Sequence, residues 1–196
     1  MLETTTNRYL ITATLLDSWR YLLINEYSKM EDFLKTLNRE KTPTTEAQQE
    51  GFEFETWAEQ NYNDTLGGVF QVKLSQDFVS QSKTHYLLYG IADCVKGGVI
   101  YDYKHTSNYE VGKFVDRCQT SMYLQLVPDA TKMIYVIGKD KTNAQLEIDA
   151  SSPYNLYTET YDKEDVRPIG EIIAEFESWL TTNGLLETYH EKWLAK

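Results

Sequence analysis

The sequence predicts an α/β domain, a mixed central β-sheet with helices on both sides. Three features of the 196-residue chain lead there. Residues 86–95 and 99–105, rich in apolar and aromatic side chains, flank Gly97-Gly98, a two-residue turn signal in which both positions accept φ > 0. A strand–helix–strand pattern over residues 99–137 allows a right-handed crossover between parallel strands. Amphipathic stretches toward both ends supply helices to cover the sheet.

From the N-terminal side, Leu15, Trp19, Leu22, Leu23 and Tyr27 recur at three- and four-residue spacing, which predicts one helix over 12–37 with a single apolar face. Lys41-Thr42-Pro43-Thr44-Thr45 breaks it. Thr44 or Thr45 can cap a second helix running to about Asn61, with Phe54, Trp57 and Ala58 inward. Leu66-Gly67-Gly68 reads as a turn, 69–78 as an alternating strand, and Ser80-Gln81-Ser82-Lys83 as a polar loop before the hairpin. After the loop Thr106-Ser107-Asn108, residues 110–127 read as a helix that Pro128 stops. Met133-Ile134-Tyr135-Val136-Ile137 is a short apolar strand, and Leu146-Glu147-Ile148-Asp149 reads as another. From Asp165 the pattern is helical again, with Pro168 near the first turn and Gly184 past the end, and a last helix covers about 186–194. The predicted order is α-α-β-β-β-α-β-β-α-α, in one domain over 1–196 whose core spans about 10–137, with C-terminal strands and helices in 138–196.

Composition narrows the function classes. With 41% hydrophobic and 25% charged residues the chain is ordinary for a soluble globular protein. It holds no run of 18 or more apolar residues, so no membrane association is expected. Met1-Leu2-Glu3-Thr4-Thr5-Thr6 lacks a basic region followed by an apolar one, which argues against a signal peptide. Cys94 and Cys118 are too few for a disulfide framework or a four-cysteine iron–sulfur cluster, and read as reduced, buried small hydrophobes in a cytoplasmic protein. The net charge of −11 is unlike that of a general nucleic-acid binder. The acid is uneven: residues 140–196 carry 12 acidic and 5 basic side chains, a net of −7, and the remainder a net of −4. A local basic stripe, Lys104, His105, Lys113 and Arg117, survives this excess, although scattered charges of this kind also describe a plain solvated surface.

The hairpin carries the chemistry. With Gly97-Gly98 as the loop, Lys96 pairs with Val99, Asp93 falls opposite Asp102, and Ile91 falls opposite Lys104. Residues 102 and 104 share a face because strand side chains alternate with period two. Directly paired positions have Cβ atoms roughly 4.5–5.5 Å apart, a separation at which two like charges destabilise a strand pair unless something bridges them. Oxygen-rich sites suit Mg²⁺ or Mn²⁺, and such a cation lowers the pKa of a bound water and stabilises charge on a phosphoryl oxygen. The alternative is a surface hairpin with alternating polar residues, but Asp is depleted in strands. Other site types score poorly. His85, His105 and His190 lack zinc spacing, and neither a Walker-type loop nor a Gly-x-Ser-x-Gly elbow occurs. His105 points to the face away from Lys104. Trp179, Tyr189 and Trp193 fall at helical spacing and read as packing. Tyr154, Tyr157 and Tyr161 suit a packing loop, or stacking on single-stranded bases.

Gly90-x-x-Asp93, then Asp102-x-Lys104, resembles the PD-(D/E)XK nuclease superfamily. Gln119-x-x-x-Tyr123 resembles the additional motif of its RecB-like branch, which includes CRISPR-associated and phage exonucleases, and Gly51-x-x-x-Glu55 stands where that branch carries a Gly-x-x-x-His or Gly-x-x-x-Glu element. The opening segment 12–21 is similar to the helical start of those domains, so the resemblance runs from about residue 10 to 137 with the motifs in order. It implies a restriction-endonuclease-like fold, and a Mg²⁺- or Mn²⁺-dependent hydrolase of DNA phosphodiesters, exonuclease rather than endonuclease, in phage or bacterial recombination, repair or DNA processing. By the same resemblance Asp93, Asp102 and the Tyr103 carbonyl would be metal ligands, Lys104 the catalytic lysine, and Glu55 a further ligand, with Glu53 and Glu59 competing for that place. Gln119 and Tyr123 would sit beside the site and contact substrate or support Lys104. Lys113 and Arg117, from the basic stripe, are candidates for substrate binding. Ala92 stands where many members have Pro, and Glu55 where a histidine is frequent. Two other functions fit the same residues: a non-catalytic scaffold whose acidic surface faces a protein partner, and a phosphoesterase for small nucleotides. A homo-oligomer or partner subunit could supply missing positive charge.

Overall fold

The structure, a computed structural model, describes residues 7–195, and for residues 63–66 the backbone alone. The segment read for a signal peptide, 1–6, lies outside the described residues. One six-stranded mixed sheet is built from β1 (Arg8–Thr12), β2 (Val69–Val79), β3 (His85–Lys96), β4 (Val99–His105), β5 (Lys132–Asp140) and β6 (Tyr154–Asp162). The helices are α1 (Ala13–Ile24), α2 (Met30–Leu37), α3 (Glu46–Leu66), α4 (Cys118–Leu126), α5 (Asn143–Ile148), α6 (Ile169–Thr182) and α7 (Leu186–Lys192). One sheet face packs Leu15, Trp19, Phe33, Met122, Ile173 and Phe176 from the helices α1, α2, α4 and α6. The other face packs α3 through Phe54 and Ala58 against Cys94, Tyr103 and Val136. The expected arrangement, a mixed sheet with helices on both sides, is the one observed.

β3 organises the sheet. β2 runs antiparallel along one of its edges from Val69↔Val95 to Val79↔His85. The other edge is divided between two partners. Residues 85–89 pair in parallel with β1, and residues 94–96 pair antiparallel with β4 as Cys94↔Tyr101, Val95↔Ile100 and Lys96↔Val99. Between Tyr89 and Cys94 this edge has no strand partner in either ladder. β4 continues in parallel with β5, and β6 returns antiparallel to β5. Gly97 and Gly98 take φ of 54° and 77°, the turn geometry that only glycine enters without strain.

A second irregularity lies at the same level. Leu88 and Ala92 of β3 pack in the larger core, yet Cys94, two residues on, packs in the smaller one. On β2, Leu74 and Phe78 join the larger core and Phe70 the smaller. The pair of strands therefore changes face between these points. There Gln71 adopts φ of 51°, a left-handed conformation that costs a non-glycine residue roughly 1–2 kcal/mol. Beyond the change Val95 pairs with Ile100 on the larger-core side, so odd residues of β3 share a face with even residues of β4.

Several expectations are corrected. The helix expected over 12–37 is two helices, because Asn25 to Lys29 form a turn fixed by Asn25 Oδ1 accepting from Tyr27 N and by Ser28 Oγ donating to the Leu22 and Asn25 carbonyls. Arg8–Thr12, not read as an element, is β1; its five residues depend on the distant β3 for their hydrogen bonds. The helix expected over 110–127 begins only at Cys118, since Gly112 takes φ of 84° and breaks the helical path. Leu146-Glu147-Ile148-Asp149 does not form a strand: Thr142 and Gln145 close a capping box that nucleates α5. The tyrosines at 154, 157 and 161 lie on a strand, β6, rather than a loop. Thr45 caps α3 as expected, its Oγ1 accepting from Gln48 N while Gln48 Oε1 accepts from Thr45 N. Both cysteines are buried and free, and burial pushes the Cys118 thiol up to about 12.

Candidate active site

The hairpin register places the two aspartates where β4 leaves β3. Asp93 and Asp102 stand one step beyond the last ladder pair, Cys94↔Tyr101, so neither they nor Ile91 and Lys104 form the ladder pairs expected from the turn. Asp93 instead spans the opening with its side chain: Oδ2 accepts from Tyr103 N at 2.8 Å, taking the place of a backbone acceptor. Asp102 is fully buried. Its Oδ1 accepts from Gln119 Nε2 at 2.6 Å, and its Oδ2 pairs with Lys104 Nζ at 2.5 Å.

The electrostatics follow from this crowding. Burial raises the Asp93 pKa, the Asp102 charge raises it further, and Lys104 and the Tyr103 N–H pull it back, leaving it at about 8. Burial raises Asp102 as well, against Lys104, Arg117 and Gln119. Lys104 is mostly buried, which would lower its pKa, but Asp102 and Asp93 outweigh that and hold it above the ordinary lysine value. It is charged across the physiological range and lies 5.9 Å from the Tyr135 ring centroid.

Two helices complete the patch. On α3, Glu55 is half-buried; burial raises its pKa, Lys104 lowers it and Asp102 raises it, which places its carboxyl in the same field. Glu53 and Glu59, its competitors, are exposed, and Glu53 accepts from Gln49 Nε2 within its own helix. On α4, Tyr123 fills the opening in β3: its hydroxyl donates to the Ile91 carbonyl at 2.7 Å. A Cβ on Gly90 would lie 2.3 Å from Tyr123 Cε1, so the ring requires glycine there. Burial, then Asp102, pushes the Tyr123 hydroxyl up to about 12, and it acts as a neutral donor.

Two contributors were not singled out from the sequence. Asp17 of α1 accepts from Cys118 N at 2.6 Å and lies 3.6 Å from Arg117, so it caps α4, whose own N-cap residue Arg117 makes no side-chain cap. Its position on the inward face of α1, one turn after Ala13 and beside buried Leu16, was the available signal: a carboxylate on an apolar stripe needs a partner. Tyr135 of β5 exchanges a hydrogen bond with Thr120 of α4 at 2.8 Å and lies against Lys104.

No protein-family model matches the chain, and no curated protein matches it in sequence. Solved structures do match it in three dimensions. The crystal structure of SSO0001 superposes with a TM-score of 0.59 at 14% identity, over 92% of this chain and 80% of the other. The alkaline exonuclease LHK-Exo from Laribacter hongkongensis matches with a TM-score of 0.53 at 14% identity, over 92% of this chain and 89% of the other. Its complex with dAMP gives 0.51 at 12% identity over 92% and 89%. The chain shares with them a restriction-endonuclease-like fold, a central mixed sheet flanked by helices. At these identities the likeness is one of architecture.

Within this fold the expected residues divide into two groups. Asp93, Asp102, Lys104, Glu55, Gln119 and Tyr123 converge. Tyr103 contributes its N–H, while its ring is buried against Phe54 and Tyr62 on the opposite face. Lys113 and Arg117 do not touch the aspartates. Lys113 Nζ donates to Thr106 Oγ1 and the Asn108 carbonyl, each at 2.5 Å, and Arg117 faces Asp17. His105 points away from Lys104, as expected, toward Glu50 and Asp140. Among the described residues no three His, Cys, Asp or Glu side chains form a ready cage for a metal ion. A Mg²⁺ ion asks for less, since it usually keeps several waters and takes one or two carboxylates plus substrate phosphate. Asp93 and Asp102 fit that demand, and Asp102 Oδ2 is buried with an ion pair but no hydrogen bond. Among the described residues no helix is long and apolar enough to cross a membrane.

Proposed function

We propose that this protein is a metal-dependent nuclease that hydrolyses DNA phosphodiester bonds from strand ends. The observation that supports it most is the pair of aspartates at the opening between β3 and β4, where Asp93 bridges to Tyr103 N at 2.8 Å and fully buried Asp102 pairs with Lys104 Nζ at 2.5 Å. In this reading Asp93 and Asp102 hold Mg²⁺ or Mn²⁺, with Glu55 and the Tyr103 carbonyl as further ligands. The bound cation supplies charge opposite a phosphoryl oxygen and acidifies water. Lys104, kept charged by its two carboxylates, donates to the oxygen on which negative charge develops. Gln119 fixes the orientation of Asp102, and Tyr123 holds the strands apart so that the carboxylates face substrate. The exonuclease LHK-Exo and its complex with dAMP support a nucleotide as the ligand class and ends as the point of attack. Phage or bacterial recombination, repair or DNA processing in the cytoplasm is the corresponding setting.

The test is cleavage of linear and circular DNA, single- and double-stranded, with Mg²⁺, Mn²⁺ or EDTA, beside Asp102→Ala and Lys104→Ala. Metal-dependent loss of linear DNA that both variants lack supports the reading. Retained cleavage in Lys104→Ala removes that residue from the mechanism. The net charge of −11 favours a second reading, a non-catalytic member of the fold that binds a protein partner through its acidic surface. Well-folded protein inert with every metal would select it. A phosphoesterase for small nucleotides would differ in lacking the steep salt dependence of extended DNA binding.

A further inference from the structure

Beside the carboxylate patch, α1 and the turn after it form one wall of a cleft of about 610 Å³ whose other wall is the segment leading into α4. Its lining combines two kinds of side chain. Tyr21, Ile24 and Tyr27 are 52%, 49% and 82% exposed. Arg20, Lys113 and Arg117 bring cations to the same cleft. Large apolar groups this exposed lose the favourable transfer from water that buries their kind elsewhere in the chain. Tyr27 is also held in place, because the turn that carries it is fixed by Asn25 Oδ1 on the Tyr27 N–H and by Ser28 Oγ on two carbonyls.

The charges show what the cleft accepts. Asp17 faces Arg117 and Asp116 pairs with Arg20 at 2.8 Å, while Lys113 donates to two neutral oxygens. With Glu26 included, the lining holds three acids and three bases, so it is neutral in a chain of net charge −11. The cleft adjoins the carboxylate patch, since Asp17 and Arg117 of its lining flank the start of α4, whose second residue, Gln119, donates to Asp102. Exposed aromatic faces interleaved with cations are the arrangement that binds single strands, bases stacking on the rings and phosphates meeting the cations.

We propose that this cleft seats a single-stranded nucleic-acid end next to the scissile bond, with Tyr27 and Tyr21 stacking on bases and Lys113, Arg20 and Arg117 meeting phosphates. The inference rests on the nuclease reading for the location of the scissile bond, but not for binding. A duplex keeps its bases paired and offers the tyrosines no free faces, so the preference is for frayed or unpaired ends.

The experiment measures anisotropy of a fluorescein-labelled oligothymidylate about a dozen nucleotides long, a length within the span of known single-strand sites. EDTA is present so that no cleavage occurs. The proteins are the full chain, Tyr27→Ala, Tyr27→Phe and Lys113→Ala. The expected results are a roughly tenfold weaker Kd for Tyr27→Ala, restoration by Tyr27→Phe, and a salt slope for Lys113→Ala smaller by about one. An abasic strand of the same length should bind wild type as weakly as oligothymidylate binds Tyr27→Ala. Equal affinity of wild type and Tyr27→Ala, or of abasic and normal strands, overturns the proposal. Hydrolysis of bis(p-nitrophenyl) phosphate with Mn²⁺ reads the metal site alone. If wild type lacks it while Tyr27→Ala still loses strand binding, the nuclease reading fails and the cleft stands.

Discussion

Carboxylates drawn toward the interior of this molecule are treated in two opposite ways. Where the loop after β2 meets α6, Glu177 Oε1 accepts from Ser80, Ser82 and Tyr86 hydroxyls at 3.1, 2.8 and 2.6 Å. On β6, buried Glu159 accepts from Tyr109, Gly112 N and Tyr161. Each is one carboxylate surrounded by neutral donors, which satisfy its oxygens and bind loop to sheet. At the opening between β3 and β4 the proportions reverse: Asp93 and Asp102 share one lysine and repel one another. A saturated carboxylate is finished structure. A crowded pair is left wanting positive charge, the condition a cation satisfies.

The sharpest test exchanges charge for shape. Asp93→Asn keeps an acceptor for Tyr103 N–H and removes the repulsion. Metal-dependent cleavage should fall by roughly 10³-fold or more, while the metal-free melting temperature at pH 8 stays level or rises. A variant that still cleaves, or that melts earlier, would break the contrast. Glu177→Ala should do the reverse, costing about 1–3 kcal/mol by stranding its donors, with kcat per folded molecule unchanged. Denaturant titration and initial rates measure both.

Asp17→Ala removes the cap of α4, and should cost about 1 kcal/mol. It should also lower kcat because α4 carries Gln119; that loss should vanish in a Gln119→Ala background if the two act through one helix. The pH dependence has a definite sign. Folded Asp93 holds its proton up to about 8, against 3.8 for an ordinary aspartate. Its contribution to metal-free stability is therefore complete below 3.8 and is lost as pH rises toward 8 and beyond. Melting scans across that window should show the decline, and added Mg²⁺ should reverse it; a rise with pH would sink the assignment. The smallest effect expected is a gain of under about 1 kcal/mol in Gln71→Gly, where relief of a left-handed φ is partly offset by glycine's greater freedom in the unfolded chain, read as a higher denaturant midpoint.

The local parts of this arrangement were legible in the sequence. Gly97-Gly98 set the register of β3 on β4, and alternation put Lys104 beside Asp102, because turn chemistry and period two act over a few residues. What stayed hidden depends on distant partners. Arg8–Thr12 is a strand only because β3 offers half an edge, and β6, although its tyrosines and threonines suit extended backbone, has its ladder only because β5 lies beside it. The change of face at Gln71 leaves no periodic trace, since it lies between two regular stretches. Asp17 was visible as a polar residue on an apolar stripe, but its partner is the start of a helix roughly a hundred residues later.

Tyr123 has a further role in assembly. Two paired strands tend to go on pairing, as a zip fastener runs to its end. The ring of Tyr123, admitted by the bare backbone of Gly90, is the stop on that zip. Hairpin closure from Gly97-Gly98 is local, whereas the stop comes from a helix that begins only at Cys118 and reaches back to the Ile91 carbonyl. The carboxylate patch therefore depends on a contact between parts of the chain about thirty residues apart, and Gly90 is the residue that admits it.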